Sequence, residues 1–344
     1  MAKGINPQAL VNSPEDLVTS EEETRAGFIK LALEKNYLAV PYVEEAKSMK
    51  ALASRVSNPK ELLNVDELRA GLLTASGLSD KSLNYLTEED KISAIKQLIE
   101  KFLEPAGSGF VDELIYRYLL TRGDTLGGKA RNLAGQLGER KFIRSLISVF
   151  NLSGKDYYWR DSTSGRWFPK PKDDTDLEKR INGFYWKTGK TNRVLIMNTT
   201  VPVVKKNVDV CILDGIIDDL KSDGHNKSII YSNENYVALG ELKGGLDPAG
   251  ADEHWKTANS ALNRIRSSFR KKKLAPHTFF VGAAIESSMA KEIFNQLQNG
   301  ILSSAANLTK DEQLTSICSW IVNLKDGGAM VREQDGLYEE DDGI

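Results

Sequence analysis

The sequence predicts an α/β protein in which a mainly helical region precedes a mixed-sheet domain and an acidic tail. Three observations support this order. Apolar residues recur at helical spacing over roughly the first 150 residues. From about residue 155, aromatic and β-branched segments alternate with Gly, Asp, Asn and Ser, as strands and turns do. The last residues are strongly acidic and lack any apolar period. We therefore expect parts at 1–150, 151–325 and 326–344.

The helical signals are clearest around residues 87–105. Residues 87–90, Thr-Glu-Glu-Asp, resemble a capping box, in which the first and last side chains bond each other's backbone N–H. The apolar residues behind it have helical spacing: Ile92, Ile95, Leu98, Ile99, Phe102 and Leu103. Pro105 is expected to end this run. Similar spacing predicts helices over 110–120 and 130–150.

The mixed domain, 151–325, contains both the alternating pattern of strands and the spacing of helices. Alternating or continuous apolar runs predict strands at 182–187, 192–200, 207–213, 228–232, 236–243 and 278–284. Helical spacing predicts helices at 253–272, 286–298 and 310–324. Five aromatic residues could stack on bases, although packing on a strand face is the more common role of such residues: Tyr157, Tyr158, Trp159, Trp167 and Trp186.

Composition is that of an ordinary globular protein, with 344 residues, 40% of them hydrophobic and 27% charged. No run approaches the ~18 consecutive apolar residues that a membrane helix needs, and the N-terminal residues lack the apolar centre of a secretory signal. The two cysteines, Cys211 and Cys318, lie in apolar contexts, which is typical of buried free thiols. These features predict a cytoplasmic protein.

The net charge of −2 is unevenly distributed along the chain. Residues 333–344 carry six acidic residues and no basic one, so the rest of the chain has a net charge of +4. We expect a disordered, solvated tail. A mildly basic body permits nucleic-acid binding but does not require it.

Two predicted strands place charged residues among apolar ones. Asp209 interrupts the apolar run 207–213, and the run 236–243 ends in Glu241, Leu242 and Lys243. Because strand side chains alternate, Glu241 and Lys243 share a face. Two carboxylates on neighbouring strands can hold Mg²⁺, with the Leu242 carbonyl as a third oxygen ligand. Lys243 could orient the attacking water or offset negative charge in a transition state. By itself, the pattern also permits a plain ion pair at a strand end.

The continuation of the chain favours a DNA-cleaving site. Residues 244–250 form a Gly-rich loop, where backbone can approach a ligand closely. The helix that follows has an apolar stripe: Trp255, Ala258, Leu262, Ile265 and Phe269. A second stripe consists of donors to which a DNA backbone could bind: Lys256, Asn259, Asn263, Arg266, Arg270 and Lys273. A solvated basic face is the alternative explanation of the second stripe.

Several segments closely resemble the AvaI/BsoBI restriction endonucleases. The longest are 201–209 (VPVVKKNVD), 241–266 (ELKGGLDPAGADEHWKTANSALNRIR) and 280–293 (FVGAAIESSMAKEI). Shorter ones are 25–36, 75–81 (ASGLSDK), 102–107 and 112–120. The resemblance spans about residues 20–325. It implies a PD-(D/E)xK nuclease core, with an α+β mixed sheet, plus a helical region that helps a homodimer to enclose double-stranded DNA.

The resemblance also implies a reaction and its residues. It implies cleavage of 5′-CYCGRG-3′ after the first C, Mg²⁺ as cofactor, and a cognate DNA methyltransferase as functional partner. Asp209 and Glu241 correspond to metal ligands, Lys243 to the motif lysine, and His254 to a histidine beside the attacking water. An imidazole ordinarily titrates near pH 6.5, so it can accept a proton from water near neutrality.

The resemblance further assigns DNA contacts. Lys206 and Asp247 correspond to residues that contact bases in the major groove, and Lys81 to one that reaches the minor groove. Carboxylates accept from cytosine N4 and ammonium groups donate to purine N7, which adenine and guanine share. The segment 214–235 and the acidic tail depart from the family pattern.

Two rival functions remain open at this point. The first is a PD-(D/E)xK nuclease of another specificity, such as a repair enzyme. The second is a DNA-binding protein that no longer cleaves, against which the intact set of motif residues argues. A third candidate, a phosphate-binding P-loop at 123–129, fails because Ala130 replaces the required Ser or Thr and the preceding segment is helical in pattern.

Overall fold

The structure, a computed structural model, describes residues 10–130, 132–222, 227–324 and 329–330. The chain divides into two compact units. The helical unit is Gly27–Leu133, and the sheet unit combines Met1–Ala26 with Ala134–Ile344. This division differs from the expected boundary after residue 150. Residues 134–150 join the sheet unit because the apolar side chains of their helix, among them Phe142 and Phe150, belong to its core.

The helices of the chain are α1 (Glu21–Ala53), α2 (Arg69–Ala75), α3 (Asp80–Leu83), α4 (Glu88–Leu98), α5 (Phe110–Ala130), α6 (Leu133–Leu152), α7 (Ala251–Arg270), α8 (Ser287–Gln298) and α9 (Asp311–Asn323). Within the described residues, none of these helices combines the length and the apolar character needed to cross a bilayer. Residues 123–129 lie inside α5, which agrees with the rejection of a P-loop.

The capping box predicted for α4 is present. The Thr87 Oγ1 accepts from the Asp90 backbone N–H at 3.2 Å, and the Thr87 N–H donates to the Asp90 carboxylate at 2.9 Å. The helix continues into a π turn at Ile99–Leu103, before Pro105. Ile95 and Leu98 are buried in the core of the helical unit, as their spacing predicted.

The strands of the main sheet are β1 (Tyr157–Asp161), β2 (Trp167–Pro169), β3 (Ile181–Thr188), β4 (Thr191–Val201), β5 (Lys206–Asp214), β6 (Tyr236–Lys243), β8 (His277–Gly282) and β9 (Ser304–Asn307). The strand order is β2-β1-β3-β4-β5-β6-β8-β9. All neighbours are antiparallel except β6–β8 and β8–β9, which are parallel. The mixed α+β fold that the sequence predicted is therefore confirmed.

Two apolar clusters cover the two faces of this sheet. Along β5, Val210 and Ile212 belong to one cluster, whereas Cys211 and Leu213 belong to the other, as strand alternation requires. Helices α6 and α9 contribute to the first cluster, and α7 and α8 to the second. The sheet is thus packed between two helical layers, which hold its central strands β5 and β6 away from solvent.

Most of the expected elements of the sheet unit form where the periods placed them, but some do not. The predicted strand at 228–232 is wrong, since Ile229–Tyr231 forms a 3₁₀ helix. Ser228 caps this turn, and such local hydrogen bonds compete with strand pairing. Strands β1, β2 and β9 were not predicted. Tyr157, Trp159 and Trp186 are buried, which confirms packing for these three aromatic residues.

A second, two-stranded sheet involves the end of the chain. β7 (Leu274–Ala275) pairs antiparallel with β10 (Ala329–Met330). These two residues belong to the segment 326–344 that was expected to be a disordered tail. The rest of that segment, including the acidic residues 333–344, lies outside the described residues, as does 223–226 within the departing segment 214–235.

Candidate active site

Three of the four predicted catalytic side chains meet where β5 and β6 separate. The last paired residues of these two strands are Val210 and Gly240. Asp209 and Glu241 come directly after this pair, at the point where the strands separate, which we call the fork of the sheet. Lys243 Nζ lies 3.0 Å from Asp209 Oδ2 and 2.8 Å from Glu241 Oε2. The Leu242 N–H donates to Asp209 Oδ2 at 2.8 Å. The Asp209 carboxylate thus receives a backbone N–H of β6 at the point where the strand ladder has ended.

Burial and charge act together on this group. Burial raises the pKa of Glu241 above its usual range, and the neighbouring Asp209 charge raises it further, while Lys243 opposes both effects. Burial lowers the pKa of Lys243, but the negative charges and hydrogen bonds of Asp209 and Glu241 together have the larger effect, so the pKa of Lys243 is raised. The ammonium therefore stays protonated and partly balances two carboxylates that would otherwise repel each other.

The donor set fits a hard divalent cation. Glu241 is 4% exposed, its carboxylate is close to a second one, and only a single ammonium balances the pair. A cation with oxygen ligands would relieve the remaining repulsion. Over the described residues, no group of three or more His, Cys, Asp or Glu side chains is arranged as a metal site. The candidate ligands are therefore the two carboxylates together with the Leu242 carbonyl.

Close backbone contacts hold the end of β6 against α6. A Cβ on Gly138 would lie 2.6 Å from the Cα of Gly244, and a Cβ on Gly244 would lie 2.7 Å from the Ala134 carbonyl oxygen. Real side chains cannot occupy such positions, so these two glycines are needed for the contact. Because Gly244 directly follows Lys243, the first turns of α6 help to fix the position of the motif lysine.

Glu139, the next residue of α6, adds a carboxylate that sequence reasoning missed. Its two oxygens accept from Asn198 Nδ2 at 3.2 and 3.3 Å. Asn198 has a left-handed φ of 52° and stands opposite Asp209, at the one position where the β4–β5 register is interrupted. Burial raises the pKa of Glu139, and the Asp209 charge contributes to this rise. No spacing along the chain indicates this contact, because it depends on how α6 packs on the sheet.

His254 lies one turn into α7, against the Gly-rich loop. A Cβ on Gly245 would lie 2.3 Å from His254 Cε1, whereas a Cβ on Gly250 would meet the same atom at 3.7 Å, an ordinary contact. The loop therefore wraps closely over the imidazole, and only glycine fits at position 245 without displacing the ring. This contact brings the histidine next to the segment that directly follows Lys243.

The residues predicted to contact bases are exposed. Lys206 begins β5, and Lys81 lies in the short helix α3 of the helical unit. Asp247 caps the turn Pro248–Gly250 by accepting from the Ala249 N–H at 3.0 Å. Its second carboxylate oxygen makes no hydrogen bond within the described residues and can accept from a base.

The donor stripe of α7 is less uniform than the sequence suggested. Lys256 is exposed and pairs with Asp252 at 2.6 Å. Arg266 is half-buried and donates to Asn263 Oδ1 at 2.7 Å and to Thr278 Oγ1 at 3.2 Å. Burial lowers the pKa of Arg266 to about 10, which leaves it charged at neutral pH. Arg266 thus links α7 to β8, whereas Lys256 has no such role.

A sheet with a carboxylate on one central strand and Glu-x-Lys at the end of the next is typical of nuclease cores of the restriction-endonuclease class. The family model described as "Restriction endonuclease BsobI" matches residues 8–324. The type II restriction enzyme AvaI of Nostoc sp. is 52% identical over 314 residues, which cover 91% of this chain and 98% of that enzyme. The type II restriction enzyme BsoBI of Geobacillus stearothermophilus is 50% identical over 318 residues, which cover 91% and 97%. The chain belongs to the BsobI restriction endonuclease family, as the resemblance of its segments predicted.

Proposed function

We propose that this protein, as a type II restriction endonuclease, uses Mg²⁺ to hydrolyse both strands of double-stranded DNA at 5′-CYCGRG-3′, after the first C. The observation that carries this proposal is the convergence of Asp209, Glu241 and Lys243 at one fork of the sheet. The names of the relatives support it, since both are type II restriction enzymes that match nearly the whole chain. The specificity itself rests on the resemblance of the segments that carry Lys206 and Asp247.

In this mechanism Asp209, Glu241 and the Leu242 carbonyl would hold Mg²⁺. The bound ion would supply Lewis-acid stabilisation of the negative charge that develops on the phosphate. Lys243 already donates to both carboxylates, at 3.0 Å and 2.8 Å, which uses two of its three N–H groups. It would donate to a nonbridging phosphate oxygen or orient the attacking water, and it needs no change of protonation to do so.

His254 would take the proton from the attacking water. It follows the Gly-rich loop, which packs on its ring, so its orientation is set by the same segment that continues from Lys243. A neutral ring with a free nitrogen is the form that a general base requires.

Base contacts would come from three exposed side chains. Lys206 and Asp247 would read the major groove, and Lys81 the minor groove. A lysine aimed at purine N7 accepts either purine, which suits the degenerate Y·R pairs of the site. Lys256 and Arg266 would contact the backbone, Lys256 with the exposed ammonium that also pairs with Asp252 and Arg266 with the donors left by its contacts to Asn263 and Thr278.

A homodimer would supply the second active site, because a near-palindromic site is cut on two strands related by a twofold axis. The surface of α1 supports this. Large apolar side chains are exposed along it: Phe28, Ile29, Leu33, Tyr37, Leu38, Val40 and Val43. The spacing of Ile29, Leu33, Tyr37 and Val40 places them on one face of the helix, and an exposed apolar face is normally covered by a partner. The helical region would thereby help two copies to close around DNA.

The setting of the reaction would be the cytoplasm, together with a cognate methyltransferase that protects the host's own sites. The two cysteines, Cys211 and Cys318, are free and buried, which suits a reducing compartment. The methyltransferase would be a functional partner that modifies the same sequence, without a physical contact to this chain.

Digestion of a fully sequenced phage DNA tests the proposal. With Mg²⁺, every CYCGRG site should be cut and the mapped ends should carry 5′ overhangs that start after the first C. Cuts at another fixed sequence would indicate a related nuclease of different specificity. Sequence-specific binding in Ca²⁺ with no cleavage in Mg²⁺ would instead indicate a DNA-binding protein without activity.

A further inference from the structure

Four consecutive cationic residues, Arg270 to Lys273, form a basic cluster at the end of α7. All four side chains are exposed. Of the carboxylates that the structure describes, none lies within ion-pairing distance of any of the four. The described carboxylates therefore do not offset the repulsion among these four positive charges. The positive charge of Arg270 also adds to the effect of burial in lowering the pKa of Arg266. A concentrated, unpaired positive charge of this kind attracts polyanions.

The opposite charge is concentrated at the end of the chain. Residues 333–344, which we call the acidic segment, contain six carboxylates and no cation. The family match ends at residue 324, so this segment lies beyond the part that the chain shares with its family model. The catalytic core therefore does not account for the segment.

A short strand pair connects the two features. Leu274, the first residue of β7, directly follows the basic cluster and pairs with Met330, the last residue of β10. Because the pairing is antiparallel, the direction of β10 from Ala329 to Met330 points toward the Lys273 end of β7. Only Val331 and Arg332 separate Met330 from the first carboxylate, Glu333. Twelve residues span up to ~40 Å when extended, which far exceeds the ~6 Å that four residues occupy along a helix.

We propose that the acidic segment binds the basic cluster of its own chain and there competes with DNA phosphates. Individual exposed ion pairs are weak, but the tether raises the local concentration of carboxylates to the millimolar range and six of them act together. The contact weakens as salt rises, because such exposed charges are screened. The DNA part of this proposal rests on the proposed function, whereas the contact between segment and cluster does not.

The position of the cluster indicates which step the segment affects. β6 and β8 are parallel, and the pairs Ala238↔His277 and Lys243↔Gly282 mark the two ends of their ladder. The catalytic residues lie at the second end, and the basic cluster precedes the first. Along α7, His254 and Arg270, the first residue of the cluster, are separated by roughly 24 Å. The segment therefore limits non-specific association with duplex that flanks the site and leaves the chemical step unchanged.

A double-mutant cycle on the full-length protein tests the competition. One variant replaces all six carboxylates of the segment with amides (Glu→Gln, Asp→Asn), which keeps its length. A second carries Lys271→Gln, Lys272→Gln and Lys273→Gln, and a third combines both sets. Affinity for a 30-base-pair duplex without a CYCGRG site is measured by fluorescence anisotropy in Ca²⁺, at roughly 50 and 200 mM salt.

The amide variant should bind this duplex about tenfold more tightly at the lower salt, and the gain should shrink at the higher salt. With the lysines already neutralised, the same amide changes should alter affinity less than about twofold. Equal gains in both backgrounds would overturn the proposal, because the segment would then act only through net charge. No gain in either background would overturn the competition as well.

Zero-length carbodiimide cross-linking tests the contact without DNA. The reagent joins a lysine amine to a carboxylate with loss of water. Mass spectrometry should find links between 271–273 and 333–342, and these should disappear at high salt. Absence of such links, or the appearance of links between a light and a heavy chain in an isotopically mixed sample, would overturn the own-chain contact. Normal cleavage of a cognate duplex in Mg²⁺ by the amide variant would show that a failure here is not a failure of the nuclease itself.

Discussion

The sheet unit and the helical unit handle their apolar side chains differently. In the sheet unit, α7 buries its whole apolar stripe, and Trp255, Leu262 and Phe269 are no more than 1% exposed. In the helical unit, the part of α1 from Gly27 to residue 45 buries no side chain, although Leu33 and Tyr37 lie on it. The sheet unit can therefore bury the apolar side chains of α7 within one chain. The helical unit leaves large apolar side chains of a long helix exposed to water.

This difference separates two roles. The sheet unit carries the carboxylates of the candidate active site on strands held between two packed layers, which is where precise geometry is easiest to maintain. The exposed helix α1 suits association, because its apolar side chains gain most from a surface outside their own unit. Changes in the sheet unit should therefore affect chemistry, and changes on α1 should affect assembly.

The largest effect is expected at the fork of the sheet. Asp209→Asn and Glu241→Gln keep the shape of each side chain but remove a negative charge from the metal ligands. Cleavage should fall by at least ~10³-fold, since losing a metal ligand costs several kcal/mol of transition-state stabilisation. Binding to cognate duplex in Ca²⁺, measured by anisotropy, should remain. A variant that retains cleavage within tenfold of wild type would remove these residues from the site.

The next effect concerns His254 and its loop. His254→Ala should lower the single-turnover rate by roughly 10²–10⁴-fold with little change in DNA affinity, which is the usual scale for losing a general base. Loss of rate and affinity together would instead make His254 a DNA contact.

Gly245→Ala and Gly250→Ala form a matched pair around the same ring. The added methyl of the first would lie 2.3 Å from His254 Cε1 and that of the second 3.7 Å. Gly245→Ala should therefore displace the imidazole and lower the single-turnover rate by about tenfold or more, whereas Gly250→Ala should leave it nearly unchanged. Equal rates for the two variants would mean that the loop does not position the histidine.

A change of assembly is expected from α1. Leu33→Glu combined with Tyr37→Glu places two charges on its apolar surface, where a dimer contact would have to bury them. The variant should shift from dimer toward monomer in sedimentation velocity, with at least ~100-fold weaker association. Lys35→Glu changes the charge on the same helix without altering an apolar residue and should stay dimeric. Dissociation of both variants alike would mean that charge, and not the apolar surface, controls assembly.

The smallest effect distinguishes two cations of α7. Arg266→Ala removes donors to Thr278 and Asn263, so the free energy of unfolding should fall by about 1–3 kcal/mol in urea denaturation. Lys256→Ala removes only an exposed pair with Asp252 and should change stability little. If both variants had wild-type stability, Arg266 would be a DNA contact without a structural role.

The sequence by itself determined the features that depend on near neighbours. Strand alternation put Glu241 and Lys243 on one face, helical spacing identified the buried stripe of α7, and Thr87 with Asp90 marked the start of α4. These patterns reflect backbone geometry over a few residues, so they are visible in any window of the chain. The long segment 241–266 likewise identified the family, which the comparisons confirmed.

Only the tertiary structure decided which distant residues meet. Glu139 reaches Asn198 opposite Asp209, and Gly138 touches Gly244, because the apolar face of α6 packs on the sheet and carries its first turns to the fork. The pairing of Leu274 with Met330 joins segments about fifty residues apart in the same way. Such contacts arise when whole surfaces pack together, and the free energy of that packing depends on shape and burial across the fold. They therefore produce no periodic pattern in the local sequence.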